Sequence, residues 1–298
     1  MRKDWQFIEE VVMEVKEMMG ACVKVECRKV IKNNDNEVHG ITIMMPGESI
    51  CPTIYIENFD NDDPNEVAKK IIETYERSLE NNTIPELDVE MVKHFSYVKD
   101  KLSIRLVNYE NNKEFLKNVP YIKFLDLVII CYINIFDEGI IKVTNDLLDN
   151  YGVSKKKLFD IAKENTMKIL PVYGENMESV IEKLMRGEIS EGKGLAPFLP
   201  GDMMYVLSNE KKNFGAAAII YEDVLKNLSE QIQDDLLILP SSVHEVILLP
   251  YKNTTADVIN MVYEINRSDA LNPEDVLSDT VYLYRRDTEM IERADLEE

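Results

Sequence analysis

Residues 4–19 carry apolar side chains at Trp5, Ile8, Val11, Val12, Val15, Met18 and Met19, a spacing that predicts one face of a helix. Strict alternation then takes over in VKVEC (23–27), VHGITIMM (38–45) and PTIYIEN (52–58). With NNDNE and Met45-Pro46-Gly47 as turns, a small antiparallel meander follows the helix. Asp63 as N-cap, Pro64 at the first helical position and Glu66 at the third predict a second helix running to about Glu80.

The middle of the chain mixes periods. A short helix is expected around 88–94, KLSIRLVNYE (101–110) fits no single template, and a helix is expected from Asn111. FLDLVIICYINIF (124–136) reads as one buried strand, followed by a short strand IIKV (140–143). Thr144 caps a helix ending at Tyr151 with Gly152 past its end, and Ser154 caps the next, KKKLFDIAKENTMKIL. The helix NMESVIEKLM then leads into RGEISEGKGLAPFLPGD, rich in Gly and Pro. Beyond it the order is strand 203–208, helix about 213–231, strands 235–240 and 244–250, helix about 255–266 and strand 279–285. The fold class is therefore α+β. It has an N-terminal helix with an antiparallel meander, a central α/β segment, and a C-terminal split β-α-β-β-α-β layout with two helices on one face of a mostly antiparallel sheet. The expected divisions are 1–170, a connector 171–202, and 203–298; the acidic end ERADLEE is expected to fray.

Charge changes the functional picture. The 298 residues are 45% hydrophobic and 30% charged, a globular balance, but 55 Asp and Glu stand against 34 Lys and Arg, a net charge of −21. Such a surface offers few cations to replace the counterions of a phosphate backbone or to meet anionic lipid, so direct nucleic-acid or membrane binding is not expected. A basic protein partner is compatible with it, although acidic charge also simply keeps a protein soluble. The first nineteen residues are not a signal peptide, since acids interrupt the apolar run, and 124–136 is too short to span a bilayer. Cys22, Cys27, Cys51 and Cys131 have no CxxC spacing and read as reduced core thiols, which places the protein in the cytoplasm.

Candidate chemistry is sparse. GEISEGKG (187–194) approaches a phosphate loop, but Gly194 stands where a hydroxyl is needed, and neither a preceding strand nor a following helix is expected. In DNDDPNE (60–66) the helix cap explains Asp63 and Glu66 without calcium. His39, His94 and His244 are too scattered for zinc, so no metal and no cofactor is expected. The lysines of YGVSKKKL (151–158) read as a solvated helix start, not as a DNA-reading element. SNEKKNFGAAA (208–218) enters a helix through small residues. An anion at Ser208, Asn209, Asn213 and Gly215 is weighed there against close packing of helix on sheet, and packing is favoured. LPSSVHEVILLP (239–250) places Ser241, Ser242 and His244 together. It lacks a GxSxG elbow and follows hairpin grammar, so a turn is favoured over a nucleophile with its base.

Five stretches, CPTIYIENF (51–59), VTNDLLDNYGVS (143–154), MYVLSNEKKNFGAAAI (204–219), LPSSVHEVILLP (239–250) and LNPEDVLSDTVYLY (271–284), resemble an uncharacterised family of Gram-positive anaerobes known only as a domain of unknown function. The resemblance implies no activity, cofactor or catalytic residue. It implies a bacterial accessory or host-interaction role, since the family occurs near mobile genetic elements. The GEISEGKGLAPFLPG loop departs from the family pattern. The expectation is a non-enzymatic cytoplasmic protein that binds another macromolecule, a basic protein in its sharper form. The alternative is a hydrolase or small-molecule-binding enzyme near Ser241, Ser242 and His244.

Overall fold

The computed structural model describes residues 4–46, 51–81, 90–135, 139–187, 193–240, 242–253, 264 and 272–294. The chain forms two compact units, Met1–Lys93 and His94–Glu298.

In the first unit Asp4 caps α1 (Trp5–Met19), its side chain accepting from the Phe7 N–H at 2.8 Å. An antiparallel meander follows, β1 (Lys24–Ile31), β2 (Glu37–Met44) and β3 (Thr53–Tyr55), as the alternation predicts. Helix α2 (Pro64–Asn81) begins where Asp63 accepts from the Asn65 N–H at 3.0 Å. Ile8, Val11 and Val15 of α1, Ile41 and Ile43 of β2, and Val67 and Ile71 of α2 close one core. Burying such side chains contributes about 1.5–3 kcal/mol each, the main source of this unit's stability.

The second unit opens with the short α3 (Phe95–Val98), followed by a 3-10 turn, Lys99–Lys101. KLSIRLVNYE resolves into β4 (Leu102–Asn108), every residue of which is buried. The helix expected from Asn111 is instead two 3-10 turns, Glu110–Asn112 and Phe115–Asn118. The buried strand expected over 124–136 is found from residue 127 to 135, while Phe124 ends the strand before it. β5 (Tyr121–Phe124) turns at Leu125, φ 56°, into β6 (Leu127–Ile135), because Leu125 and Asp126 supply a two-residue hairpin that the continuous hydrophobicity conceals. β6 pairs antiparallel with β4, β5 and β7 (Gly139–Lys142). Thr144 and Ser154 cap α4 (Asn145–Tyr151) and α5 (Lys155–Ile169) through the Leu147 and Lys157 N–H groups, and Gly152 sits between the helices at φ 61°.

The connector expected over 171–202 contributes β8 (Val172–Asn176), α6 (Met177–Met185) and β9 (Gly194–Leu195). β8 and β9 belong to the same sheet as the C-terminal strands. That sheet adds β10 (Tyr205–Asn209), β11 (Leu236–Leu239), β12 (Val246–Pro250), β13 (Tyr282–Arg285) and β14 (Met290–Arg293), in the order β14-β13-β11-β12-β10-β8-β9. β12 runs antiparallel to both β10 and β11, so those two are parallel with β12 inserted between them, the split βαβ arrangement. Among the described residues only β8 and β9 pair parallel. Residues 213–231 form a 3-10 segment (Gly215–Ile220) and then α7 (Val224–Ile232), shorter than the single helix expected. The helix expected over 255–266 lies, Glu264 excepted, outside the described residues. The start of the expected frayed end is β14, paired with β13 through Arg293.

Candidate functional site

LPSSVHEVILLP is a hairpin, with β11 and β12 in register from Leu236↔Pro250 to Leu239↔Ile247. The loop between them is held from outside. The Val243 N–H donates to the Asp275 carbonyl at 2.8 Å, the Ser278 N–H to the Pro240 carbonyl at 3.0 Å, and Ser242 pairs with Val276. His244 precedes β12 instead of beginning it. Its Nδ1 accepts from the Phe214 N–H at 3.3 Å, which leaves Nε2 to carry the proton toward Asp275 Oδ1 at 3.2 Å. The Ser242 hydroxyl is buried and accepts the His244 backbone N–H at 3.0 Å, while the buried Ser208 hydroxyl donates to the His244 carbonyl at 2.7 Å. Neither serine reaches the imidazole, whose two nitrogens are engaged elsewhere, so the described residues do not form a nucleophile and base. Ser241 lies outside the described residues.

The loop after β10 is closed on itself. Asn209 Nδ2 donates to the Asn213 carbonyl at 2.8 Å, and the Asn213 N–H returns to Asn209 Oδ1 at 3.4 Å. At Gly215 a Cβ would fall 2.1 Å from Ser208 Oγ, 2.5 Å from the Asn209 nitrogen and 2.6 Å from the His244 carbonyl oxygen. Asn209 and Asn213 thus bond each other, Ser208 bonds the His244 carbonyl, and Gly215 packs closely on both segments. Lys212 and Phe214 both sit in the left-handed region, at φ 48° and 52°. For a bulky residue such as Phe214 that conformation costs on the order of 1–3 kcal/mol and persists because its surroundings hold it.

What this turn holds in place is the Phe214 ring, 5.3 Å from the His244 ring and 3.7 Å from the guanidinium carbon of Arg105. Arg105 comes from β4 and is 3% exposed, and its guanidinium also lies 4.2 Å over the Tyr132 ring of β6. Among the described residues its buried Nε and Nη1 have no hydrogen-bond partner. Burial pushes its pKa down to about 10, so it remains a cation at neutral pH, and no carboxylate opposes it among the described residues. The sequence pattern of β4 contained this signal, one charged residue, Arg105, in a strand with no other charge. Asp275 carried none, because it meets His244 only through tertiary structure.

Glu175 on β8 is a second buried charge, 6% exposed, bonded by the Tyr173 hydroxyl and the Lys183 ammonium of α6. Burial alone raises its pKa; the Lys183 and Tyr173 hydrogen bonds outweigh this and hold it below the ordinary carboxylate value. α6 itself buries none of its residues. Met177 and Val180 are half-buried, whereas Ile181, Leu184 and Met185 are 49%, 70% and 84% exposed. Leu199 and Met203 are exposed in the loop after β9.

The other sequence candidates have local roles. His39 is bound by Glu57 through both its N–H, at 3.0 Å, and its Nδ1, at 2.8 Å. His94 precedes α3 without a side-chain cap bond. Lys155 donates to the Tyr121 carbonyl and Lys156 to Asp160. In GEISEGKG, residues 188–192 lie outside the description, and the Gly194 N–H donates to Glu210. The cysteines are not uniformly core thiols. Cys131 is buried and Cys27 and Cys51 partly so, but Cys22 is exposed because it falls in the turn between α1 and β1. Burial pushes the Cys27 and Cys131 thiols up, the opposite of nucleophilic activation. Among the described residues no group of His, Cys, Asp and Glu converges to hold a metal, and no helix is long and apolar enough to cross a membrane.

No curated protein and no solved structure matches the chain. A family model does match, over residues 5–286, nearly the whole length; the chain belongs to DUF5688, a family of unknown function.

Proposed function

We propose that this protein acts by binding rather than by chemistry, docking a basic protein through α6 and its acidic surroundings. The observation that carries this reading is the exposed apolar stripe of α6. Met177, Val180, Ile181, Leu184 and Met185 recur at helical spacing, yet the last three face water. A helix holds such a face out of its own core at a cost that a partner's burial offsets. Glu178 is exposed on the same helix, and Glu182 is exposed beside Arg186, its ion-pair partner at 3.3 Å, so a complementary surface combines apolar groups with a basic group at Glu178.

Charge supports the same partner. Many cations are already neutralised by neighbours, including Lys69 by Glu66, Lys117 by Glu114, Lys156 by Asp160 and Lys168 by Glu164, which leaves the −21 surplus as carboxylate. The same surplus argues against direct nucleic-acid binding. We place the protein in the cytoplasm, in keeping with four cysteines that form no disulfide.

The test is affinity capture from native lysate with wild type and Leu184→Asp immobilised side by side and eluted by a salt gradient. A basic protein retained by wild type, released as salt rises and lost from the variant supports the reading. Identical retention on both, or retention indifferent to salt, contradicts it. The hydrolase reading keeps Ser241 as its open member; its other groups, Ser242 and His244, are committed to Asp275 and to backbone.

A further inference from the structure

Arg105 stands apart from every other polar group in the second unit's interior. On β4 it shares a sheet face with Ser103, and across the pairing with Tyr132 and Asn134 of β6. At the edge of the sheet the Ile104 N–H donates to Thr166 Oγ1 of α5 at 2.9 Å. Ser103 and Asn134 satisfy each other at 2.8 Å. Arg105 receives two aromatic rings and no acceptor.

Rings attract the cation but leave its N–H donors unused, and a buried guanidinium without an acceptor is rare in a native protein. The surrounding structure is nevertheless fixed to make this arrangement. Phe214 is held in a left-handed conformation by the His244–Asp275 pair on one side and the Asn209–Asn213 brace on the other. A rigid frame around an unsatisfied cation is the form of a binding site awaiting its anion.

We propose that Arg105 anchors a binding site for a small ligand bearing an oxyanion, a carboxylate or a phosphate, with Phe214 and Tyr132 as its aromatic walls. Arginine's planar fork matches either group, and the donors left free are the ones such a group takes up. His244 and Asp275 are positioning residues here, acting through Phe214. The site is independent of partner docking at α6, and either reading can fail without the other.

The experiment is thermal unfolding of the full chain in rising benzoate, or rising inorganic phosphate, against chloride at equal ionic strength. A ligand that binds only the folded state raises the midpoint with concentration, by a few degrees at about ten times its Kd for a chain of this size. Wild type is expected to respond to at least one oxyanion, and the responding arm names the group. Arg105→Met is expected to lose the response. Arg105→Lys, which keeps the charge but not the fork, is expected to need several-fold more anion for the same shift. Absence of response in wild type to both oxyanions, or an equal response in both variants, overturns the proposal.

Discussion

Glu175 on β8 and Arg105 on β4 are the two charged side chains buried among the described residues, at 6% and 3% exposure. Glu175 is given what a buried charge requires, an ammonium from Lys183 and a hydroxyl from Tyr173. Arg105 is given the rings of Tyr132 and Phe214 and nothing for its Nε and Nη1. Desolvating either ion costs several kcal/mol. A cation–π contact offsets roughly 0.5–2 kcal/mol of this. The first site is closed within the chain and serves to tie α6 to the sheet. The second is left open, which is how a group kept for binding differs from one kept for architecture.

The contrast can be broken in several places. Gly215→Ala drives a Cβ into Ser208, Asn209 and the His244 carbonyl, so the turn that lays Phe214 on Arg105 must shift. We expect a loss of about 3 kcal/mol in urea unfolding together with loss of any oxyanion response. Lys183→Met strands the Glu175 carboxylate in the interior, at an expected cost of about 2–3 kcal/mol, with α6 loosened from β8 in hydrogen exchange.

Acid sharpens the same point more gently. The folded pKa of Glu175 lies below its ordinary 4.5, so its contribution is fully present above that value and is lost as pH falls through the folded pKa. The stability of wild type should therefore decline more steeply below pH 4.5 than that of Lys183→Met, as read by chemical denaturation at stepped pH. Smallest is Leu184→Asp, at a 70% exposed position, where stability should stay within about 0.5 kcal/mol of wild type in the same assay. A larger loss would mean that α6 is held by its apolar face instead of through Lys183.

Much of this architecture was legible because local signals sufficed. Asp63, Thr144 and Ser154 each cap the helix that their spacing announces, and the Pro-Ser-Ser turn separates two paired strands. The misses share a different cause. β8 reads as loop because Gly174 and Glu175 are poor strand residues, and both are chosen by tertiary neighbours. A Cβ at Gly174 would strike the Tyr205 ring, and Glu175 is there for Lys183. β14 is polar because it is an edge. The pair His244–Asp275 spans thirty-one residues, beyond any local pattern. Arg105 was visible as the one charge in its strand, but only the fold reveals that no described residue accepts from its Nε or Nη1.

The central claim is that no described residue compensates the Arg105 charge, and the most direct measurement is the unfolding free energy of Arg105→Met in chloride buffer. Methionine keeps the contact with both rings and removes the buried charge. The expected result is a variant as stable as wild type, or more stable by about 1 kcal/mol or more, as when a costly buried ion is replaced by an apolar side chain. A loss of about 3 kcal/mol or more would show that Arg105 already has its partner inside the fold, and would contradict the account.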